Sequence, residues 1–302
     1  MFKLVCGAGN EEPENVKRLV YVYSKAGCRF FDISARKEIL SAAKEALMLA
    51  GVEDAMLCVS VGIKGDPHIT KAKIDYDKCV KCCKCVDTCI NDAISAEIIV
   101  DERRCIGCGN CAKQCSAITM YDKDVNVAEI LPYMVANGAE VLELHIMGHD
   151  KADLDYKWKV INECNPKYAS ICIDRENFGN KEVLERIRYM IKDRAPYTTI
   201  IQADGIPMSG ADDTYKTTLQ AVAMAEIIQN AQLPVKIMIS GGTNSKTAEL
   251  AKTCGVNYWG IAVGSWARKI VKKYINAEDF WEDESPVDEA IVIAKSLINS
   301  CQ

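Results

Sequence analysis

Nine of the sixteen cysteines in this chain fall between residues 79 and 115, eight of them in two copies of one spacing. The first copy is Cys79, Cys82, Cys85 and Cys89; the second is Cys105, Cys108, Cys111 and Cys115. Each reads C-x2-C-x2-C-x3-C, the spacing of bacterial two-cluster ferredoxins. A cubane cluster has four irons, and each takes one outside thiolate. Three cysteines two residues apart wrap one side of a cubane, and the fourth ligand of each copy crosses to the other cluster. The expected ligands of cluster one are Cys79, Cys82, Cys85 and Cys115. Those of cluster two are Cys105, Cys108, Cys111 and Cys89. Cys83 stands outside the pattern. Zinc sites pair two CxxC units instead, and a disulfide framework needs an oxidising compartment that nothing here suggests. The usual proline after the fourth cysteine is absent: Ile90 follows Cys89 and Ser116 follows Cys115. That departure bears on loop geometry and potential more than on ligation. Two [4Fe–4S] clusters imply a chain that handles electrons one at a time.

Composition narrows the rest. A chain of 302 residues, 49% hydrophobic, has enough apolar material for one large domain or two modest ones. A net charge of −5 gives no electrostatic footprint for nucleic acid. No apolar stretch reaches the length of a transmembrane helix, and the segment before Gly7 is too short for a signal peptide. So thiol-rich a chain fits a reducing cytoplasm. The cysteines outside the motifs show no paired spacing and read as small hydrophobes.

With residues 64–123 set aside as an inserted two-cluster ferredoxin-like domain, the remainder (1–63 and 124–276) alternates strand and helix. Eight short apolar runs stand out: Lys3–Cys6, Phe30–Ile33, Met56–Val61, Val141–Met147, Ala169–Ile173, Thr198–Ala203, Lys236–Ser240 and Trp259–Val263. Between them lie helical faces such as Val16-Leu19-Val20-Tyr23, Ile130-Tyr133-Met134-Ala136 and Ala221-Met224-Ile227-Ile228. Strands alternating with helices argue for a parallel sheet. Eight units predict an α/β fold of the (β/α)8 TIM-like barrel class, with a doubly wound open parallel sheet as the alternative. The insertion leaves after strand three and returns before the next helix. In a barrel that loop lies on the C-terminal face, where barrel active sites sit. The clusters are therefore expected over the barrel mouth. Residues 277–302 read as an acidic, turn-like segment through Pro286 and then a C-terminal helix from about Val287.

Strand alternation selects the inward-facing residues. In Leu142-Glu143-Leu144-His145-Ile146 the apolar residues suit the helix layer, so Glu143 and His145 point inward. The same rule turns Asp32 and Ser34, Cys172 and Asp174, and Gln202 and Asp204 inward. Polar residues near the ends of several strands are the pattern of a barrel active site, so His145, Glu143, Asp174 and Asp204 are the catalytic candidates. Buried polar groups that merely bond one another are the alternative. His145 is favoured as general acid because its pKa needs least tuning. Gly241, Gly242 and Thr243 after strand seven, with a helix starting near Ser245, and Gly264 and Ser265 after strand eight form an expected phosphate site. A flavin mononucleotide (FMN) or a phosphorylated substrate suits it. Glycines that only end strands tightly are the competing account. Arg268 and Lys269 stand one turn further on.

The opening Phe2-Lys3-Leu4-Val5-Cys6-Gly7-Ala8 resembles the light-dependent period protein family of cyanobacteria. So does the stretch from Ala26 to Ala35, with Cys28, Arg29, Phe30, Phe31 and Asp32 at its centre. That family carries a ferredoxin-like segment after about this point and then a strand similar to Leu142-Glu143-Leu144-His145. The resemblance covers roughly the first half of the chain. It implies an iron–sulfur redox protein, linked in cyanobacteria to sensing redox state for the circadian clock. A second, fold-level resemblance is to dihydroorotate and dihydropyrimidine dehydrogenases, which join an FMN barrel to ferredoxin clusters.

Two functions follow as expectations. In one, the chain is an oxidoreductase whose clusters feed electrons singly to the barrel mouth, where a flavin or the substrate collects them. In the other, it is an electron carrier or redox-sensing subunit that acts through a partner such as a ferredoxin, a flavoprotein or a reductase subunit.

Overall fold

A computed structural model describes residues 1–7, 9–66, 69–174, 178–205 and 212–302. In chain order the first strands are β1 (Phe2–Val5), β2 (Phe30–Ser34) and β3 (Met56–Gly62). Next come β4 (Thr70–Ile74) and β5 (Ile118–Asp122). The series closes with β6 (Val141–His145), β7 (Tyr168–Ile173), β8 (Thr199–Asp204), β9 (Lys236–Ser240) and β10 (Gly260–Val263). All of these except β4 and β5 form one closed barrel of parallel strands. Closure is direct: Phe2, Lys3 and Leu4 pair with Ile261, Ala262 and Val263. Each of the eight apolar runs is a barrel strand, and the open-sheet alternative is excluded.

The helices are α1 (Pro13–Lys25), α2 (Lys37–Ala50), α3 (Lys84–Thr88), α4 (Asn110–Gln114), α5 (Val127–Ala136) and α6 (Lys151–Glu163). They continue with α7 (Asn180–Ile191), α8 (Tyr215–Asn230), α9 (Thr247–Thr253), α10 (Ser265–Ile275) and α11 (Glu284–Ser300). Helix-facing strand residues such as Leu4, Phe31, Ile33, Leu142, Leu144, Ile171 and Ile201 join the helices in one large core. Inside the barrel, Phe30, Val141, Ile200 and Met238 pack as a separate apolar cluster. The inward positions that follow them in the chain direction are polar. Asp32 stands opposite Cys58, Ser60 opposite Glu143, and Glu143 opposite Ser170.

Two local readings change. The buried face of α5 is Val127, Leu131 and Met134, while Tyr133 is exposed. Helix α11 begins at Glu284, so Ser285 and Pro286 are helical rather than turn. Asp283 caps it by accepting from Ser285 N at 3.0 Å, and proline is tolerated in a first turn because its missing N–H has no intrahelical partner there. Helix α9 starts at Thr247, near Ser245 as expected, and the Ser245 hydroxyl and backbone N–H both donate to Asp213.

The cysteine-rich stretch builds on an antiparallel β4–β5 ladder from Thr70↔Asp122 to Ile74↔Ile118. The repeat extends beyond the cysteines. Asp75 and Asp101 each lie four residues before the first cysteine of a copy. Asp75 N donates to Ala117 O and Asp101 N to Ala93 O, both at 2.8 Å. Lys81 and Cys83 in the first loop, and Gly107 and Gly109 at the matching positions of the second, all have positive φ. Helices α3 and α4 start at equivalent points just before the third cysteine of each copy.

Two buried lysines fasten this stretch to the barrel. Lys157 of α6 donates to Gly62 O and to Asp124 Oδ2, both at 2.7 Å, holding the chain where it leaves and rejoins the barrel. Lys71 of β4 donates to Gly9 O and Cys105 O, both at 2.7 Å, joining the second cysteine loop to the segment after β1.

Candidate functional site

The cysteines gather into two groups. Cys89, Cys105, Cys108 and Cys111 line one cavity, walled by Ala72, Ala93, Ile94 and Met120. Burial pushes the Cys111 thiol up to about 11, helped by the neighbouring charges of Cys108, Cys105 and Cys89. In the other group, burial raises Cys85, and its cysteine neighbours are Cys115 and Cys79. Cys82 stands at the solvent edge. Backbone donors already face the sulfurs: Ala93 N lies 3.2 Å from Cys89 Sγ and Ala72 N 3.4 Å from Cys105 Sγ. Such N–H···S contacts favour the thiolate form that iron requires. Among the described residues, no three of the eight sulfurs close to within 4.8 Å of one another. A tetrahedral zinc ion with Zn–S bonds of about 2.3 Å would hold its sulfurs about 3.8 Å apart. Four thiols around a cavity, with donors to sulfur and apolar walls, fit a cubane better than a single ion.

The barrel mouth is a second cavity, of about 630 Å³ including its opening. His145, Gln202 and Asp204 form its floor, and all five residues of the expected phosphate site (Gly241, Gly242, Thr243, Gly264 and Ser265) line its side. Ile106, between Cys105 and Gly107, forms part of the same wall. The second cysteine loop thus touches the cavity that His145 faces. Gly9 is what lets it come so close: a Cβ there would meet Ile106 Cα at 3.0 Å. Gly241 has φ of 73°, and a Cβ there would fall on the Asp204 carboxylate. The Thr243 hydroxyl is committed, donating to Ala262 O. Helix α9 is short and lies beyond Ser245, so α10 is the helix that starts at this mouth.

Glu143 lies one layer deeper than the mouth. Its carboxylate meets Lys3 Nζ at 2.8 Å, Ser170 Oγ at 2.6 Å, Gln202 Nε2 at 3.1 Å and His145 Nε2 at 3.3 Å. Lys3 also pairs with Asp32 at 2.9 Å. All of these groups are buried. Desolvation raises the Asp32 carboxyl despite Lys3. Glu143 shifts the other way: Lys3 and His145 outweigh its burial and hold it well below the usual carboxylate range. Two carboxylates pushed apart in this way take different roles, one holding a proton more readily and one staying ionised. Glu143, His145 and Cys172 bring ligand atoms within 4.8 Å of one another, but the contacts of Glu143 mark the group as an ion-pair network. Asp174 is buried just beyond β7 and is not among the mouth-lining residues.

Burial alone would lower the pKa of His145; the Glu143 contact, with the charges of Asp66 and Asp32, overrides it and raises it to about 9. That shift favours the imidazolium at neutral pH, the form a general acid needs. The linkage has a definite sign. Stability from this shift is fully present below pH 6.5, the unfolded value, and is lost as pH rises through 9. The expected loss is on the order of 3 kcal/mol. Urea unfolding at pH 6 and pH 9.5 should show it in the native chain and not in His145→Gln. Equal pH dependence in the two proteins would refute the ion pair.

Lys3 and Arg268 are the residues that sequence reasoning undervalued. Lys3 is an inward position of β1, where a lone lysine among apolar neighbours demands carboxylates; Asp32 and Glu143 had already been turned inward. Arg268 lines the mouth and donates from Nη1 to Val5 O at 2.8 Å.

Residues 133–300 match the family described as the light dependent period A C-terminal domain. A protein named Light dependent period A from Synechococcus elongatus is 30% identical over 288 residues, spanning 88% of this chain and 80% of its own length. Among solved structures, tryptophan synthase from M. tuberculosis, in an aminoacrylate- and BRD0059-bound form, superposes with a TM-score of 0.52 at 10% identity, covering 100% of this chain and 92% of that one. The tryptophan synthase alpha chain from Legionella pneumophila gives 0.51 at 10% identity, covering 99% and 90%. At that identity the likeness is one of fold.

Proposed function

The chain belongs to the light dependent period A family, and from that premise we propose an iron–sulfur electron-transfer protein of the oxidoreductase type, whose redox site is the barrel mouth. Residues 64–123, of which 67 and 68 lie outside the described residues, act as its ferredoxin-like domain. Cys79, Cys82, Cys85 and Cys115 hold one [4Fe–4S] cluster; Cys105, Cys108, Cys111 and Cys89 hold the other. Bound clusters supply one-electron transfer between the protein surface and the mouth. The observation that carries the reading is Ile106: one residue from Cys105, it shares a wall with His145 and Asp204.

The chain's own residues do the rest. Gly241, Gly242, Gly264 and Ser265 offer backbone to a phosphate, and the start of α10 favours its negative charge. FMN suits that position and would supply the conversion between one- and two-electron chemistry. His145, held protonated by Glu143, donates a proton toward the mouth. Asp204 accepts or anchors there, and Gln202 orients Glu143. Asp174, buried just beyond β7, is not among the described mouth-lining residues.

The redox-sensing or carrier reading draws on a different observation. Val80, within the first cysteine loop, is 82% exposed, and Tyr76 and Ile99 of the same cysteine-rich stretch are exposed as well. Exposed apolar residues in this stretch suit a redox partner protein docking at cluster one. No helix among the described residues is long and apolar enough to cross a membrane. A reductive titration with dithionite, followed by visible absorption without oxygen, separates the readings. Two electrons per chain support clusters alone and the carrier; four support clusters plus flavin and the enzyme. Fewer than two contradict both.

A further inference from the structure

A second large cavity, about 990 Å³ including its opening, lies between α10, the start of α1 and the cysteine-rich stretch. It shares Ser265 and Arg268 with the mouth and Ile90 and Asn91 with the second cysteine cradle, and extends away from both. Its lining carries four cations, Arg104, Arg268, Lys269 and Lys272, against one carboxylate, Glu12. That carboxylate is spent on capping α1, accepting from Glu14 N and Asn15 N at 3.2 and 2.7 Å. Lys272 is balanced by Asp92 at 2.7 Å, and Lys269 faces Asp212 at 3.6 Å across an exposed surface. Arg104 is half-buried and makes no ion pair among the described residues. Arg268, on the wall shared with the mouth, has a fully buried Nε without a hydrogen-bond partner. Among the described residues its other nitrogens meet only neutral acceptors, Val5 O at 2.8 Å and Ser265 Oγ at 3.4 Å. Ile90 and Ile275 supply an apolar surface beside these cations.

An apolar cleft with a few convergent polar groups is the usual form of a small-molecule site, and a lining with more cations than carboxylates favours an anion. We infer that this cavity binds a small organic anion, with its phosphate or carboxylate at Arg104, Arg268 and Lys269 and its apolar body against Ile90 and Ile275. Ile90 follows Cys89 and Arg104 precedes Cys105, so the ligand lies at the edge of the second cysteine cradle. That position suits a small redox partner or an effector sensed beside the metal site. The binding itself does not rest on the cluster reading.

The probe is anilinonaphthalene sulfonate, an organic anion with an apolar body, titrated by fluorescence into the full chain purified without oxygen. Phenyl phosphate and benzoate compete in separate arms, so that the stronger competitor tells phosphate from carboxylate. Saturable binding at one site per chain is expected. Arg104→Glu and Lys269→Glu should each weaken it by about tenfold, the scale of a charge-assisted contact. Lys236→Glu, at the opposite end of the barrel, should leave it unchanged. Native-like affinity in either cavity variant, or equal binding of uncharged naphthylamine, would overturn the inference. Circular dichroism melts of the three variants establish that each is folded before its affinity is read.

Discussion

Replacing Cys108 and Cys111 together by alanine should lower the iron content from about eight to about four per chain, because one of two cubanes loses half of its thiolates. The more exacting expectation concerns which other cysteines belong to that cubane. Cys89 lines the cavity of Cys105, Cys108 and Cys111, although it lies in the first sequence copy. Adding Cys89→Ala to the double variant should therefore cost no further iron. Adding Cys115→Ala should cost more, because Cys115 neighbours Cys85. Cys83→Ala should keep the full complement: its side chain is exposed, and the left-handed backbone at that position shapes the loop. Further iron lost with Cys89→Ala and none with Cys115→Ala would mean that the ligands do not cross.

The second large effect lies inside the barrel. Lys3→Met should destabilise the fold by about 3–5 kcal/mol, the scale for removing one partner of a buried ion pair. Asp32 and Glu143 would then be left buried and close together without their shared cation, and His145 alone would remain to balance Glu143. Adding Asp32→Asn and Glu143→Gln to Lys3→Met should restore part of the loss, because the uncompensated charges go with the lysine. Urea midpoints at pH 7 read both changes. A loss below about 1 kcal/mol for Lys3→Met would show that the network is water-filled and weak.

Barrel and cysteine pattern were readable because both obey short, strict periods. Alternation in Leu142-Glu143-Leu144-His145 is a local rule, and it turned Glu143 and His145 to the correct face. The x2-x2-x3 spacing is likewise local, and Cys89 lines the cavity of Cys105, Cys108 and Cys111. What escaped was set by distance in sequence. The charge of His145 depends on Glu143, and Glu143 on Lys3, 140 residues away. Nothing in the neighbourhood of Lys3 announces that partner until the strands are in register. Arg268 stood open between an anion ligand and a solvated side chain because its wall is completed by Val5 and by residues after β1. In α5, Met134 is buried as its face predicts, but Leu131 takes the place given to Tyr133. Lys71 and Lys157 went unremarked for the same reason as Lys3: their acceptors come from other parts of the chain.

Iron, acid-labile sulfide and zinc per chain, measured on protein purified without oxygen, test the central claim most directly. About eight irons and eight sulfides, with no zinc, are the predicted result for two [4Fe–4S] clusters beside the barrel mouth. Stoichiometric zinc, with iron and sulfide absent, would contradict it.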